Sequence, residues 1–481
     1  MAKAKQQSRN KKFIKDFGIY SIGEFGAKLI TFLMIPLYTY FVEKPSDYGY
    51  FDLCLQVCML LIPVITLQLR DGAFRHLLDT KNTIERSRIV TFVYRAIFQT
   101  SLIVILIALF ISILYPVRYL FATVALLISM SFYEILAQVS RGLGNNKAFI
   151  LIGLITSFGI GIFSLIFVAW LGMGILGIFL ANILARIVAL IIVEFWMRTF
   201  SQFFKIRIDI KTTSRDLIKY SLPLIPVTLC SLLPPMSDRL FLKHIMGLEY
   251  SGIYAISVRL TGLIHSLSII FYQTWQENAI QQYNSPDRDI FFSKVFNTYI
   301  YVLAAVLIIY IFIIKICFSW IVATNYQACL TFIYPIGVIC IIMAISNYFY
   351  LPYQCAKDTK SIVPSVIILA VTNVLLNSLL VPLCGIFGVI LTGIIGYLLV
   401  TLYLWKDTKK YFTLHVHPRT IIPILIIIVS IIPFYYNPNH FYDAFYIVVT
   451  ICILFASLPK RTRTFIIDVI KKIAPFYRTT F

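Results

Sequence analysis

Long apolar runs recur from one end of the chain to the other, and they constrain its fold more than any other feature. Stretches such as SLIVILIALFISILY (101–115) and IIPILIIIVSII (421–432) stand in a chain of 481 residues that is 59% hydrophobic and only 13% charged. A helix needs about 20 apolar residues to cross the hydrocarbon core of a bilayer. The strand-like alternation of a membrane β-barrel is not seen. We therefore predict an all-α polytopic membrane protein rather than a soluble one.

Fourteen apolar segments are long enough to be membrane spans, and basic residues mark one side of them. Of the 42 Lys and Arg residues, 33 lie in the termini and in alternate connections. By the positive-inside rule, both termini are predicted to be cytoplasmic. The basic start has no small-residue cleavage site after a short apolar core, so we expect a tail rather than a signal peptide. The predicted spans are 17–42, 48–69, 89–114, 119–140, 148–171, 174–197, 220–245, 250–280, 296–322, 327–351, 361–383, 386–405, 420–436 and 443–459.

A net charge of +21 raises the question of a nucleic-acid partner. The basic residues instead form short clusters between apolar spans, where they set topology and meet anionic lipid headgroups. The nine cysteines include no CxxC pair. Cys54 and Cys58 share a helix face but would make a poor metal site without a third ligand. We therefore expect no nucleic-acid partner, no metal site and no cofactor.

Weak internal matches in a constant order indicate two copies of a six-helix unit. DYGYFDL at 47 matches YSGIYAI at 250, which aligns Gly49 with Gly252. GILGIF at 174 matches GIFGVI at 385. An even number of spans gives both copies the same orientation, and many transporters place their substrate between such halves. The predicted parts are a basic cytoplasmic tail (1–16), an N-terminal lobe (17–197), an amphipathic cytoplasmic connector (198–219), a C-terminal lobe (220–405), the appended helices 13 and 14 (406–459) and a second basic cytoplasmic tail (460–481).

Several ionisable residues fall inside predicted spans, where such groups are costly and usually face the bundle interior or a wet cavity. Glu24 and Lys28 lie one turn apart, so a structural ion pair and a functional role are equally consistent with their spacing. Glu134 and Arg186 have opposite signs, and a bridge between their helices is one interpretation. Asp52 is expected near the outer headgroups. The candidate carboxylates for a coupling ion are Glu24, Asp238 and Glu134.

Arg259 is the main candidate for contact with a substrate. It lies about ten residues into predicted span 8, too deep to reach the outer surface easily, and no acid lies one turn away. Its guanidinium stays charged, and its planar fork of donors matches phosphate oxygens. A place in the cavity is the leading hypothesis, and pairing with Asp238 or Glu24 is the alternative. Its counterpart in the first copy is Gln56, so a cationic site would be asymmetric.

Two equivalent polar segments end predicted spans 2 and 8 at the cytoplasmic side. They read QLRDGAFR (68–75) and FYQTWQEN (271–278). A gate or an entry vestibule is one interpretation, and ordinary anchoring to headgroups is the other. The residues concerned are Arg70, Asp71, Arg75, Trp275 and Glu277.

The order and spacing of these features resemble a known family. The stretch DRLFLKHIMGLEYSGIYAISVR (238–259) is similar to the start of the second half of Wzx-type polysaccharide flippases, in the multidrug/oligosaccharidyl-lipid/polysaccharide exporter superfamily. The first half agrees in IKDFGIYSIGEFGAKLITFLMIPLYTYF, DYGYFDL and SRGLGNNKAF. The resemblance covers essentially the whole chain and rests on order and spacing rather than on one short motif.

The resemblance implies two six-helix lobes in a V that open alternately to each side of a cationic cavity. It implies an undecaprenyl-pyrophosphate-linked oligosaccharide, moved to the outer leaflet of the bacterial inner membrane for O-antigen, capsule or exopolysaccharide synthesis. Membrane lipids, a polysaccharide polymerase and other assembly proteins are the expected partners. The residues carried over are Arg259 as a headgroup contact, Asp238 and Arg239 as a cavity-wall pair, and Glu24 and Lys28 as further cavity charge. A sodium ion or a proton is the expected coupling ion.

Other functions stay open beside this one. A multidrug or cation antiporter of the same fold needs acidic groups, whereas the deep charges of the second half lean basic. A lipid II flippase shares the fourteen spans and the cationic cavity, so the sequence separates it poorly. A membrane enzyme such as an oligosaccharide polymerase usually needs a sizeable external loop, and every predicted outward loop is short. We therefore predict a transporter and not an enzyme.

Overall fold

Long apolar helices make up almost all of the computed structural model. In the part of the chain that is described, no residue lies in a β-strand. Twelve helices there are long and apolar enough to cross a membrane, and two shorter apolar helices, Phe32–Phe41 and Phe441–Ser457, lie at the first and last predicted spans. The prediction of an all-helical polytopic membrane protein is therefore confirmed. The structure describes residues 30, 32–205, 210–356, 358–436, 440–458 and 463.

The N-terminal lobe is the segment predicted above as residues 17–197. In this lobe the π-helix Leu165–Trp170 continues the α-helix Asn146–Ser164, so the predicted span 148–171 is helical almost to its predicted end. The helices of this lobe in the described residues are α1 (Phe32–Phe41), α2 (Pro45–Ile65), α3 (Leu69–Asp79), α4 (Thr83–Leu114), α5 (Leu120–Gly142), α6 (Asn146–Ser164) and α7 (Gly174–Met197).

The connector and the C-terminal lobe follow, and the appended helices end the described chain. The connector holds α8 (Thr199–Phe203) and α9 (Lys211–Ser221). The C-terminal lobe holds α10 (Leu224–Ile245), α11 (Leu248–Gln282), α12 (Arg288–Ile321), α13 (Cys329–Cys355), α14 (Val363–Cys384) and α15 (Ile386–Asp407). The appended part holds α16 (Ile421–Val429), α17 (Ile431–Tyr436) and α18 (His440–Ser457).

The segment between predicted spans 2 and 3, residues 70–88, is mostly helical. Leu67 and Gln68 both have positive φ, 50° and 52°, a conformation uncommon outside glycine. This turn ends α2 and starts α3, and α4 begins only three residues after α3 ends. The fully buried Leu217 of α9 packs into the same apolar cluster as α3, so the connector lies against the N-terminal lobe.

The two lobes meet near the ends that the positive-inside rule predicts to face outward. There α2 packs on α10 and α11. The Tyr326 hydroxyl, just before α13, donates to the Val42 carbonyl oxygen at 2.9 Å. Toward the opposite end, Gln68 Nε2 donates to Thr228 Oγ1 at 3.2 Å. The described contacts therefore join the lobes at the predicted outer side, and one hydrogen bond joins them toward the cytoplasmic end.

The appended helices dock on the C-terminal lobe through a buried ion pair. Lys315 lies near the end of α12, and its side chain is only 9% exposed. Its Nζ donates to Asp443 Oδ1 at 3.0 Å and to the Pro433 carbonyl oxygen at 3.2 Å. A lysine inside a membrane span needs such a partner, because an unpaired charge there is costly. This pair fixes α18 against α12.

Candidate functional site

A buried ion pair joins the two lobes. Arg239 Nε on α10 donates to Asp52 Oδ2 on α2 at 2.9 Å, and the two side chains are 5% and 6% exposed. The Arg239 guanidinium also lies over the Tyr254 ring, 5.0 Å from its centroid, and donates to the Pro235 carbonyl oxygen. The expectation that Asp52 reaches the outer headgroups was therefore wrong. Two charges buried this deeply stay ionised only because they pair and are further hydrogen-bonded.

Asp238, the next residue along α10, faces a different set of partners. Its Oδ2 accepts a hydrogen bond from the Tyr254 hydroxyl at 3.0 Å. Its Oδ1 accepts from Asn373 Nδ2 at 3.0 Å and from Asn377 Nδ2 at 2.8 Å. Asp238 and Arg239 thus have separate hydrogen-bond partners, and their place together on a cavity wall stays a prediction. Consecutive residues of a helix do not face each other, so each meets a different neighbouring helix.

Sequence reasoning missed the two asparagines of α14. Asn373 and Asn377 are both buried and lie one turn apart in the apolar stretch AVTNVLLNSLL (370–380). Two amides at i,i+4 in a membrane span were a usable signal, because polar groups at that depth need partners. Within the described residues, Asn377 Oδ1 is buried and accepts no hydrogen bond. The Asp238 site therefore holds one further oxygen that is available to a ligand.

Arg259 lies between the lobes and is held by aromatic rings. Its guanidinium carbon is 5.4 Å from the ring centroids of both Tyr38 and Tyr48, which belong to α1 and α2. Asp52 is near enough for an electrostatic interaction but is bonded to Arg239. No carboxylate in the described part of the chain forms an ion pair with Arg259. Cation–π contacts hold a guanidinium in place without neutralising it.

Both alternatives for pairing Arg259 can be placed against this geometry. Pairing with Asp238 was wrong, because that carboxylate is occupied by Tyr254 and the two asparagines. Pairing with Glu24 stays a prediction, because Glu24 lies outside the described residues. Lys28 also lies outside them, so the role of both as cavity charge stays a prediction.

Glu134 and Arg186 do not form the bridge that their charges suggested. Glu134 on α5 pairs with Arg70 on α3, with 3.1 Å between Oε2 and Nη1. Arg186 on α7 donates through Nη1 to the carbonyl oxygen and to Oδ1 of Asn182, at 2.7 and 3.2 Å. Glu134 pairs with Arg70 rather than Arg186 because α3, a helix that the sequence did not predict, brings Arg70 up to α5.

The N-terminal half of the predicted vestibule is occupied by contacts within its own lobe. Arg70 is committed to Glu134, and Asp71 Oδ2 accepts a hydrogen bond from Gln68 Nε2 at 2.6 Å. The exposed Arg75 pairs with Asp79 one turn along α3, at 3.4 Å. None of these three pairs crosses to the C-terminal lobe.

Trp275, in the other half, lies in the core of the C-terminal lobe in this structure, and its part in a gate or an entry vestibule stays a prediction. Its side chain is 1% exposed and stacks on Tyr348, with ring centroids 5.8 Å apart and planes at 10°. Phe291 and Phe292 cover its other sides. The side chain of Glu277 lies outside the described residues, so its role stays a prediction. Trp275 is a core residue of the C-terminal lobe because α11 turns that face toward α12 and α13.

Comparison by sequence assigns the chain to a family. Residues 13–275, more than half of the chain, match the sequence model described as polysaccharide biosynthesis protein. No curated protein sequence matches the chain.

Comparison by structure finds the same fold in several solved transporters. A structure described as lipid II flippase MurJ in an inward closed conformation has a TM-score of 0.70 and 16% identity, over 94% of this chain and 99% of that chain. An inward-facing multidrug resistance MATE family transporter of the MOP superfamily gives 0.64 and 12%, over 81% and 98%. A MOP superfamily transporter from Pyrococcus furiosus gives 0.53 and 12%, over 83% and 96%. At these identities the similarity concerns the fold.

Proposed function

Since the chain belongs to the polysaccharide biosynthesis protein family, we propose that it flips undecaprenyl-pyrophosphate-linked oligosaccharide repeat units. The chain and its structural neighbours are transporters and flippases rather than enzymes. The observation that supports this substrate is Arg259. It offers a permanently charged fork of donors between the lobes, held by two tyrosine rings and by no described carboxylate. Such a fork matches the oxygens of a phosphate.

The two lobes suggest how the substrate moves. The pyrophosphate and its sugars enter the polar space between the lobes from the cytoplasmic side, while the prenyl tail stays in the lipid. The lobes are joined at the predicted outer side, where the Asp52–Arg239 pair is buried. Release to the outer leaflet requires this pair to separate. An incoming anionic headgroup near Arg239 and Arg259 competes with Asp52 for the same cations, and so favours the separation.

We assign the coupling role to Asp238 among the three candidate carboxylates. Glu134 is committed to Arg70, and Glu24 lies outside the described residues. Asp238 and the amides of Asn373 and Asn377 form a compact group of oxygen-bearing side chains, of the kind that binds a hard cation once the amides rotate. The same carboxylate can instead carry a proton. Sodium ion and proton are therefore the two proposed driving ions.

The cellular setting follows from the substrate. We propose the bacterial cytoplasmic membrane, with both termini cytoplasmic, and synthesis of O-antigen, capsule or exopolysaccharide. A polymerase acting at the outer face would consume the flipped repeat unit, so polysaccharide polymerase and other assembly proteins are the proposed partners beside membrane lipids.

The test is the sidedness of lipid-linked oligosaccharide in cells depleted of this protein. We expect intact oligosaccharide to accumulate on the cytoplasmic face and to move outward again when the wild-type chain, but not Arg259→Ala, is restored. The sidedness of lipid II, measured in the same cells, should stay normal. Trapped lipid II would favour a lipid II flippase instead. Normal sidedness of both lipids would favour a multidrug or cation antiporter.

A further inference from the structure

Arg186 lies at the middle of a membrane span. It follows Gly174, the first residue of α7, by twelve residues and precedes Met197, the last, by eleven. At a rise of about 1.5 Å per residue it is about 18 Å along the helix from the first residue and about 17 Å from the last. An ionised side chain at this depth is costly, and it marks a functional site unless another residue neutralises it.

The contacts of Arg186 do not neutralise it. In the described part of the chain, its hydrogen bonds go to the carbonyl and amide oxygens of Asn182, on its own helix. Both bonds use Nη1, and a guanidinium has five N–H donors. Glu134, the acid of opposite sign in the same lobe, interacts with Arg186 electrostatically but forms its ion pair with Arg70. The other donors of Arg186 are therefore available to an anion.

Arg186 and Arg259 belong to opposite lobes, and Arg259 lies over the ring of Tyr38, 5.4 Å from its centroid. Tyr38 interacts electrostatically with both guanidinium groups. Arg259 follows Leu248, the first residue of α11, by eleven residues, which places it about 17 Å along its helix. The first residues of α7 and α11 are both predicted to lie at the outer side, so the two arginines lie at similar depth. Both side chains are partly exposed.

We propose that Arg186 is a second phosphate-binding residue, and that Arg186 and Arg259 each take one phosphate of the diphosphate headgroup. This rests on the proposed function and specifies its substrate class. A single cation binds a monophosphate and a diphosphate through similar contacts. A second cation adds charge-assisted hydrogen bonds that only the second phosphate of a diphosphate can accept. Arg186 therefore determines the preference for a lipid diphosphate over a lipid monophosphate.

The experiment compares two lipids on purified, full-length protein in detergent micelles. The probes are undecaprenyl diphosphate and undecaprenyl monophosphate, and the readout is the ratio of their Kd values. We expect the wild type to prefer the diphosphate. Arg186→Gln should weaken diphosphate binding by roughly tenfold or more and change monophosphate binding little, because it removes one charge-assisted contact. The diphosphate Kd of Arg186→Lys should lie between those of the wild type and Arg186→Gln, because lysine keeps the charge and lacks the planar fork of donors.

The matched control is Arg141→Gln. Arg141 belongs to the same lobe and is exposed at the end of α5, where it lies over the rings of Phe74 and Phe149. This variant should bind both lipids as the wild type does. Size-exclusion profiles and melting temperatures show whether each variant is folded. If Arg186→Gln does not fold, the Kd ratio of Arg186→Lys decides the question.

The outcomes separate the two proposals. A folded Arg186→Gln protein with the wild-type Kd ratio, beside an Arg259→Gln protein that has lost diphosphate binding, would overturn the role of Arg186 and leave the proposed function standing. A folded wild-type protein that binds neither lipid would overturn both.

Discussion

Gly49 and Gly252, which occupy equivalent positions in the two repeats, lie backbone to backbone where α2 crosses α11. A Cβ atom added at Gly49 would come within 2.7 Å of the Gly252 amide nitrogen and would overlap the Leu248 carbonyl oxygen. A Cβ atom at Gly252 would overlap the Pro45 carbonyl oxygen. Only glycine permits this approach, as in other close helix crossings within membranes. The repeat thus places its two copies of one residue at the junction of the lobes.

Gly252→Ala should weaken this junction. The added methyl group meets backbone atoms that cannot rotate away, and overpacking of this kind typically costs about 1–3 kcal/mol of unfolding free energy. The melting temperature in detergent should therefore fall. The control is Gly262→Ala on the same helix, where, outside the adjacent backbone of that helix, no atom of the described residues lies within 4 Å of the added Cβ. Equal melting temperatures for the two variants would contradict close packing at Gly252.

Removing one member of the Asp52–Arg239 pair should be strongly destabilising. Each single variant, Asp52→Asn or Arg239→Gln, leaves a buried charge without its partner, at a cost of about 3–5 kcal/mol. The exchange Asp52→Arg with Arg239→Asp should recover part of the loss. A double-mutant cycle on the free energy of unfolding measures the coupling. Additive single effects would mean that the two residues do not interact.

Arg259→Ala should abolish surface polymer while the protein stays in the membrane. Arg259→Lys should restore only part of it, because the ammonium lacks the planar fork that matches phosphate oxygens. Polymer is measured on the cell surface and protein by immunoblotting of membranes. Normal polymer from a well-expressed Arg259→Ala protein would exclude this residue from substrate binding.

Asp238→Asn should uncouple transport from its driving ion. The substituted amide keeps the size of the side chain but can neither release a proton nor attract a cation. We expect flipping in proteoliposomes to lose its response to an imposed sodium or proton gradient. The wild type, tested with each gradient separately, identifies the ion. If Asp238→Asn responds to the gradient as the wild type does, the coupling ion binds elsewhere.

Lys315→Met should loosen the appended helices, because it leaves the buried Asp443 carboxylate without its ammonium. Adding Asp443→Leu should return most of the lost stability, since an apolar pair of similar volume often replaces a buried ion pair without loss. The control is Lys410→Met, which removes a partly exposed pair with Asp407 and should cost at most about 1 kcal/mol. Melting temperatures in detergent compare the three proteins. A double variant less stable than Lys315→Met would contradict this reasoning.

The sequence by itself determined where the chain crosses the membrane. Twelve of the fourteen predicted spans coincide with apolar helices long enough to cross a membrane, and the first and last overlap the shorter described helices Phe32–Phe41 and Phe441–Ser457. The bilayer requires long apolar segments, and the helix satisfies their backbone locally. The sequence also identified the repeat that aligns Gly49 with Gly252, and it singled out Arg259 as a deep cation. These conclusions depend on residue order within one segment, or on similarity between two segments.

Only the tertiary structure decided which deep polar groups meet. Asp52 pairs with Arg239 across the lobes, and Asp238 turns to Asn373 and Asn377 on another helix. Each partner lies far along the chain, and which one is reached depends on the rotation of every helix about its axis. A search for charge also overlooks neutral amides. The spans follow from the local requirement of the bilayer, whereas the contacts between them follow from packing over the whole bundle.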